Sequence, residues 1–502
     1  VLIEDLKLKV PELRVKSMVV SGAPGQIVEG DKVIVLEPIA RYDLREPVEH
    51  LKYALRYEPV SLAVFKKAFL ALGPDIVRDW VKSEPTGIFA RRAWWLYESL
   101  TGQILDLPDR QQGGYSPLLD PEIHITGVPI RSRRHRITVN LPGTIDYCPL
   151  IRRTEKLKMD RFQNLRTKVH RVIDAIDPSV LSRAVNHFYT TETKSSYALE
   201  REAPKQERAD RFVAALKQTN QFNPGSKEDF VALQHIIVDP RYIDHDWRTS
   251  QVYIGQTLAD MSERVHFACP PPGSVPSLMS GWMECADRTS VMDPVCQAAA
   301  LSFGFVFIHP FGNGNGRIHR FLIHHFLQTR GFSPKDMILP VSAVMLRKRQ
   351  LYDAALETYS ASVMPLIGFE LDSYGEMTSL EADPDLYRYF DATPLAEFLY
   401  DAIEECVEED LRREIGFIQV FDEAKQRIQD IVDMPDSKFA LLFKHLWQNE
   451  CKLSKRKRSE FEEIDDSELS RIEAEVRSLY DNVWMSMWDS EKQSELPFGD
   501  DA

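Results

Sequence analysis

The sequence is thin in cysteine, in long apolar runs and in positive charge, and each shortage closes off a class of protein. Six cysteines in 502 residues form no CxxC pair, and their gaps fit neither a zinc ribbon nor a dense disulfide framework. They read as small apolar thiols in a reducing compartment. The longest apolar stretch, Ala298–Ile308, has 11 residues and includes Ser302 and Gly304; about 20 are needed to cross a bilayer. Val1–Val10 mixes apolar and charged residues, unlike a secretory signal. No membrane association is expected, and the cytoplasm is the expected compartment. Lys and Arg total 62 against 76 Asp and Glu, a formal charge of −14. That speaks against wholesale nucleic-acid binding and against a polybasic membrane surface. The acidity is local, however. Residues 459–502 carry 14 acidic and 3 basic side chains, which leaves only −3 for the rest of the chain. The run Lys452–Arg458 (KLSKRKR) just before them adds +5. The acidic segment is expected to fold back on that run or to stay partly disordered.

What is present is mostly helical pattern, without repeats or low-complexity segments. Lys32–Leu36 reads as a strand after the turn signal Gly30-Asp31. Pro47–Tyr57, Ser61–Leu72 and Thr86–Leu100 carry apolar residues at helical spacing. Trp94, Trp95 and Tyr97 on the last of these read as core rather than as a base-stacking platform. Pro108–Pro129 reads as loops. Arg131–Arg136 (RSRRHR) reads as a solvated basic face before the strand-like Ile137–Leu141. Asp177-Pro178 has the cap and first-turn residues of a helix start, and Ser226–Val238 reads as another helix. Gln251–Ile254 and Val265–Ala268 are short strand candidates that make a hairpin inside a helical region. Ser277–Arg288 and Pro294–Ile308 follow as helices. Beyond about Gly375 the chain is expected to be helical, with Pro394–Asp430 and Ser437–Trp447 separated by Pro435.

Chemistry concentrates at residues 309–320, His-Pro-Phe-Gly-Asn-Gly-Asn-Gly-Arg-Ile-His-Arg. Three glycines and two asparagines lie between one helix and the start of the next near Asn315. Such a turn aims backbone N–H groups at one point beside a helix N-terminus, which favours an anion. Gly allows close backbone approach to a phosphate. Arg317 and Arg320 are three apart, on one helix face, and guanidinium groups pair bidentately with phosphate oxygens. His309 suits proton transfer near pH 7. Neither GxGxxG nor the Walker pattern fits: His319 stands where the former needs Gly, and Gly316-Arg317-Ile318 where the latter needs Gly-Lys-Ser/Thr.

These residues resemble the Fic-domain signature, His-x-Phe-x-Asp/Glu-Gly-Asn-Gly/Lys-Arg-x-x-Arg, at His309, Phe311, Gly314, Asn315, Gly316, Arg317 and Arg320. The resemblance covers roughly residues 150 to 370, and its hairpin is similar to the family's target-docking flap. It implies transfer of AMP from ATP to a Ser, Thr or Tyr hydroxyl of a protein, the chain itself included, with Mg²⁺ as cofactor. His309 is then the general base, and Gly314, Asn315 and Gly316 cradle the phosphates. Arg317 and Arg320 bind the β- and γ-phosphates, and Phe311 anchors the loop. Gly316 favours AMP transfer, because relatives that act as kinases carry Lys there. Asn313 departs from the family, which has Asp or Glu on the metal at that position. A neutral carbonyl oxygen should hold Mg²⁺ less tightly.

Residues 193–202, Thr-Lys-Ser-Ser-Tyr-Ala-Leu-Glu-Arg-Glu, are similar to the Fic inhibitory motif Ser/Thr-x-x-x-Glu-Gly/Asn, with Ser196 and Glu200 in place and Arg201 departing from it. Ser196 and Glu200 are four apart on one helix face. A carboxylate delivered to Arg320 would occupy its charge and repel a γ-phosphate. Tyr352 is a candidate to stack on adenine, with a core Tyr as the alternative. His319, His324 and His325 lack the spacing of a helical metal pair, and Trp247, Arg248 and Gln251–Gly255 are expected to shape the flap.

The resulting expectation is a mostly α protein. A central Fic helical core with a small β-hairpin flap (149–375) lies between an N-terminal mixed α/β region (1–148) and a C-terminal helical region with an acidic tail (376–502). The expected function is ATP-dependent protein adenylylation held low by Glu200, with a hydroxyl-bearing protein target on the flap and a homodimer as a further expectation. The alternatives are transfer of another nucleotide-linked group, removal of AMP using Glu200, or a weakly catalytic nucleotide-sensing or DNA-binding regulator.

Overall fold

The computed structural model describes the backbone of residues 2–30, 32–38, 46–174, 176, 178–258, 262–334 and 337–492. The expected Asp177 cap lies outside these residues. The chain is mostly α and divides into two compact units. The first gathers Val1–Arg166, Glu192–Met337 and Val341–Ala402; the second gathers Thr167–Thr191, Ile338–Pro340 and Ile403–Ala502.

In the first unit, helices Pro47–Tyr57, Leu62–Leu72, Pro74–Ser83 and Ile88–Thr101 share one core that includes Phe69, Trp94 and Tyr97. Their starts follow local chemistry. Pro47 and Pro74 open two of them, where a missing N–H costs nothing. Ser61 caps a third by accepting the Val64 N–H. The strand expected at Lys32–Leu36 runs Lys32–Pro38, in a sheet with Val15–Val20 on one side and Gly25–Glu29 on the other. Those flanking strands carried little signal, since Gly25–Glu29 is exposed throughout and has no buried face to set a two-residue period.

The basic run Arg131–Arg136 is a solvated face only at Arg131 and Arg133; Arg134 and Arg136 are turned to partners in the protein. Arg134 pairs with Glu98 at 2.8 Å and Asp109 at 2.6 Å and donates to the carbonyls of Leu105 and Leu107. Arg136 donates to the carbonyls of Arg110 and Gln111. These guanidinium groups tie down a loop-rich stretch whose own backbone lacks sheet or helix partners.

The longest apolar run of the sequence became the central helix, Pro294–Ile308. All 15 of its residues are buried, as expected for a helix that is apolar all round. The expected hairpin pairs Tyr253–Thr257 with Glu263–Ala268, bulged between Val265 and Phe267. The region after Gly375 is not wholly helical. Met377–Glu381 pairs with Gly368–Leu371, and Tyr389–Asp391 runs parallel to Cys148–Arg152. Tyr389-Phe390 is a short β-prone pair whose partner strand lies far off in sequence, so periodicity could not find it. All six cysteines are buried.

In the second unit, Arg412–Gln429, Asp436–Gln448 and Asp466–Lys492 enclose a core of Phe439, Leu442, Phe443, Leu446, Ile472 and Val476. The acidic segment does fold back on the basic run: Lys452 meets Glu473 at 3.2 Å and Arg458 meets Asp466 at 2.9 Å.

Candidate active site

The central helix ends on His309, whose backbone turns left-handed (φ 52°). A glycine at the next break, Gly314 (φ 92°), starts the helix Asn315–Thr329. A Cβ at Gly314 would lie 2.7 Å from the Val238 side chain, so both the dihedral and the packing require glycine there. The loop between the helices is pinned along its length. Arg248, 4% exposed, donates its Nε to the His309 carbonyl at 2.7 Å and its Nη2 to the Pro270 carbonyl at 2.6 Å. The Arg248 backbone N–H donates to the Pro310 carbonyl at 2.8 Å. Phe311 is fully buried with its ring 5.1 Å from Trp247. The Asn315 side chain accepts the Phe311 N–H and donates to the Phe311 carbonyl, at 3.1 and 2.8 Å. Asp244 accepts the Gly312 N–H at 2.9 Å, and buried Gln234 donates to the Asn313 carbonyl at 3.3 Å and to Asp244 at 3.2 Å.

His309 Nδ1 lies 3.0 Å from the Val306 carbonyl oxygen. A carbonyl can only accept, so Nδ1 holds the proton and Nε2 keeps a lone pair. Burial, aided by the Arg248 charge, lowers the His309 pKa to about 4. The imidazole is therefore neutral and ready to take a proton near pH 7.

The first N–H groups of the helix at 315–317 have no carbonyl within it to bond; its first bond runs from the Ile318 N–H to the Gly314 carbonyl at 3.0 Å. The carboxylate of Glu200 lies beside that end. Its Oε1 lies 2.6 Å from Arg320 Nη2, and its Oε2 lies 2.8 Å from Arg317 Nε. A Cβ on Gly316 would fall 2.5 Å from the same Oε1. Arg320 also donates to the Ser196 hydroxyl at 2.7 Å and the Ser196 carbonyl at 2.8 Å. Arg317, fully buried, donates to the Ile237 carbonyl at 3.0 Å and to the Asn313 side-chain oxygen at 3.0 Å, with its guanidinium 5.0 Å from the Tyr197 ring.

Glu200 reaches the arginines from a helix end built as a Schellman turn. The Glu202 N–H bonds the Tyr197 carbonyl and the Arg201 N–H bonds the Ala198 carbonyl, both at 3.0 Å. Arg201 takes the left-handed position (φ 58°) that Gly or Asn prefers. This gives the departure at Arg201 a physical meaning: the turn forms, at the cost of backbone strain.

The sequence-selected residues fall in one place. His309, Asn313, Gly314, Asn315, Gly316, Arg317, Arg320, Ser196 and Glu200 form a single cluster. Tyr352 is buried at its edge, its side chain hydrogen-bonded to Arg320 and its ring stacked on His319 at 6.3 Å and 5.8 Å from Phe398. The histidines are all buried in the helix. His325 faces the Thr219 carbonyl at 2.7 Å, and His324 lies 2.8 Å from buried Glu192. Gln234, Asp244 and Glu192 escaped the sequence reading, as did Glu202, whose carboxylate lies 3.4 Å from Arg317. Gln234 did leave a trace, as the polar residue among Phe230, Leu233 and Ile237 on the buried face of its helix; Asp244 left none.

The residues present do not by themselves build a magnesium site. Asn313 supplies one neutral oxygen, already bonded to Arg317, and the nearby Asp244 carboxylate is bonded to Gly312 and Gln234. Among the described residues there is no group of three or more His, Cys, Asp or Glu able to hold a metal. None of the described helices is long and apolar enough to cross a membrane.

Residues 224–327 match the Fic/DOC family. The chain is 28% identical over 158 residues to the protein adenylyltransferase Fic of Culex quinquefasciatus, covering 29% of this chain and 28% of the mosquito protein. It is 35% identical over 94 residues to protein adenylyltransferase fic-1 of Caenorhabditis briggsae, covering 19% and 17%. It thus spans less than a third of the length of the curated relatives it matches. A Fic family protein from Desulfovibrio desulfuricans superposes at a TM-score of 0.36 with 20% identity, over 61% of this chain and 88% of that one. Fic-1 from C. elegans does so at 0.35 with 15% identity, over 76% and 96%.

Proposed function

We propose, for a chain that carries a Fic/DOC-family domain over residues 224–327, that it transfers AMP from ATP to a Ser, Thr or Tyr hydroxyl of a protein and that Glu200 holds this activity low. The observation that carries the proposal is the Glu200 carboxylate, seated between Arg317 and Arg320 at an anion-binding helix end. The relatives named protein adenylyltransferase support the choice of reaction.

In this reading ATP enters when Glu200 leaves. The unpaired N–H groups of the first turn at 315–317 and the two freed arginines take the β- and γ-phosphates. His309 Nε2 accepts the proton of the target hydroxyl. Its oxygen bonds the α-phosphorus, the bond from that phosphorus to the bridging oxygen breaks, and pyrophosphate leaves. Such catalysis is positioning and charge stabilisation, which suits a loop held by Arg248, Asp244, Gln234 and Asn315. Tyr352 packs against the helix that bears Arg320 and is the aromatic side chain proposed to stack on adenine. Magnesium belongs to the proposal as the ion that accompanies ATP, with Asn313 the one side chain of the motif offering it an oxygen. The hairpin Tyr253–Thr257 and Glu263–Ala268 is the surface where a target segment would add as a strand.

Incubation with α-labelled ATP, with and without added protein substrates, tests the reading. Label should enter protein, intact mass spectrometry should show the mass of AMP, Glu200→Gly should label faster and His309→Ala should not label. Label-free protein from Glu200→Gly, or an added mass other than AMP, refutes it.

A further inference from the structure

The helix that carries Glu200 meets the helix Asn315–Thr329 in three polar layers, one helical turn apart. Glu200 meets Arg317 and Arg320, and Ser196 meets Arg320. One turn further back, Glu192 lies 2.8 Å from His324. The spacing 192, 196, 200 on one helix faces 316–317, 320, 324 on the other, so each layer repeats at i+4. The Glu192 layer is as deeply buried as the Ser196–Arg320 layer. Glu192 is fully buried and His324 is 2% exposed. The Ser342 N–H donates to Glu192 Oε2 at 2.9 Å, and the Ser342 hydroxyl donates to Oε1. A carboxylate at such depth is maintained only when its lone pairs are met, and here they are met by two elements outside its own helix.

We propose that Glu192, with His324 and Ser342, is a second latch of the brake: it fixes the register in which the helix delivers Glu200 to the arginines. This rests on the reading of Glu200 as the brake. Glu192 touches neither the loop nor the anion-binding end, so it acts as a positioning residue for inhibition. A one-turn slip or an outward tilt of the helix would break all three layers together. Loss of the Glu192 layer therefore shifts the population toward the form with Arg317 and Arg320 free.

Equilibrium binding of a fluorescent ATP analogue to the full chain tests this without relying on transfer. Glu192→Gln removes the charge at nearly constant shape, and Ser342→Ala removes one bond and no charge. Both should bind the analogue more tightly than wild type, Glu192→Gln by about tenfold, within the roughly 5- to 150-fold typical of coupled sites, and Ser342→Ala by less. In a Glu200→Gly background neither should add further, because the residue they position is gone. That double variant also reports whether the nucleotide site is still folded. The latch is overturned if Glu200→Gly tightens binding while Glu192→Gln and Ser342→Ala do not. It is equally overturned if their effects persist undiminished in the Glu200→Gly background. If Glu200→Gly itself leaves binding unchanged, it is the brake that fails.

Discussion

Replacing Glu200 with glycine removes one carboxylate and should change ATP affinity by an amount the contacts allow one to work out. The carboxylate makes a charge-assisted bond to Arg320 and an ionic contact to Arg317, at 2.6 and 2.8 Å. Bonds of this kind contribute about 1.5–3 kcal/mol each when well formed. Two terms reduce the sum. The Glu200 side chain is 24% exposed, so solvent screens part of the attraction. Arg201 sits strained behind it at φ 58°, which costs roughly 1 kcal/mol. A net preference of about 2 kcal/mol for the closed form leaves roughly one molecule in 30 open, and the apparent Kd for ATP stands about 30-fold above that of the open site. Glu200→Gly should therefore bind ATP about 30-fold more tightly in isothermal titration calorimetry, and Glu200→Gln, neutral but still an acceptor, should fall between. Transfer measured at low ATP should rise in the same order. An affinity for Glu200→Gly within about twofold of wild type would mean that carboxylate and phosphate do not compete for the same arginines, and the reasoning would be wrong.

Arg201→Gly should relieve the left-handed strain and tighten the brake, with ATP affinity falling about fivefold for 1 kcal/mol; calorimetry reads it, and an increase in affinity would contradict the turn assignment. Transfer by the wild type should be insensitive to His309 between pH 6 and 8 and should decline only toward pH 4, where the imidazole protonates and ceases to be a base; a half-maximal point near 6.5 would indicate an exposed histidine. Stability should follow a related course. Burial holds His124 and His309 near pKa 4 and His319 near 3, while the unfolded chain takes up protons at its histidines from about pH 6.5. The unfolded state then binds more protons, so denaturation midpoints should be flat with respect to these groups above pH 7 and fall from 6.5 toward 4. Gln234→Leu should strand the Asn313 carbonyl and the Asp244 N–H and lower stability by about 2 kcal/mol or more, with transfer impaired more than ATP binding; urea unfolding and steady-state kinetics check the two parts.

The site was legible because its chemistry is written in consecutive residues. Glycine and asparagine between two helical patterns, with His309 before and arginines at 317 and 320 after, dictate a loop at a helix N-terminus whatever surrounds it. Ser196 and Glu200 were legible for a related reason, since a spacing of four fixes a shared helix face. What escaped depends on contacts far apart in sequence. Asp244 meets Gly312 across 68 positions and Glu192 meets Ser342 across 150, and no local period encodes such pairs. The strand Tyr389–Asp391 escaped for the same reason, its partner being Cys148–Arg152. The basic run at 131–136 misled because a cluster of arginines looks alike in sequence whether it faces water or buried carbonyls.

His309, the proposed base, hangs from the end of a helix buried over its whole length, whereas Glu200, 24% exposed, stands at a helix end beside the strained Arg201 turn. Local openings cost least at such ends and most in such cores. Warming should therefore loosen the carboxylate before the imidazole, and the slowest amides to exchange with deuterated water should lie within the helix Pro294–Ile308. If Glu200 is the brake proposed above, mild warming should act on this molecule first as an agonist, since it loosens the proposed restraint before the proposed machinery.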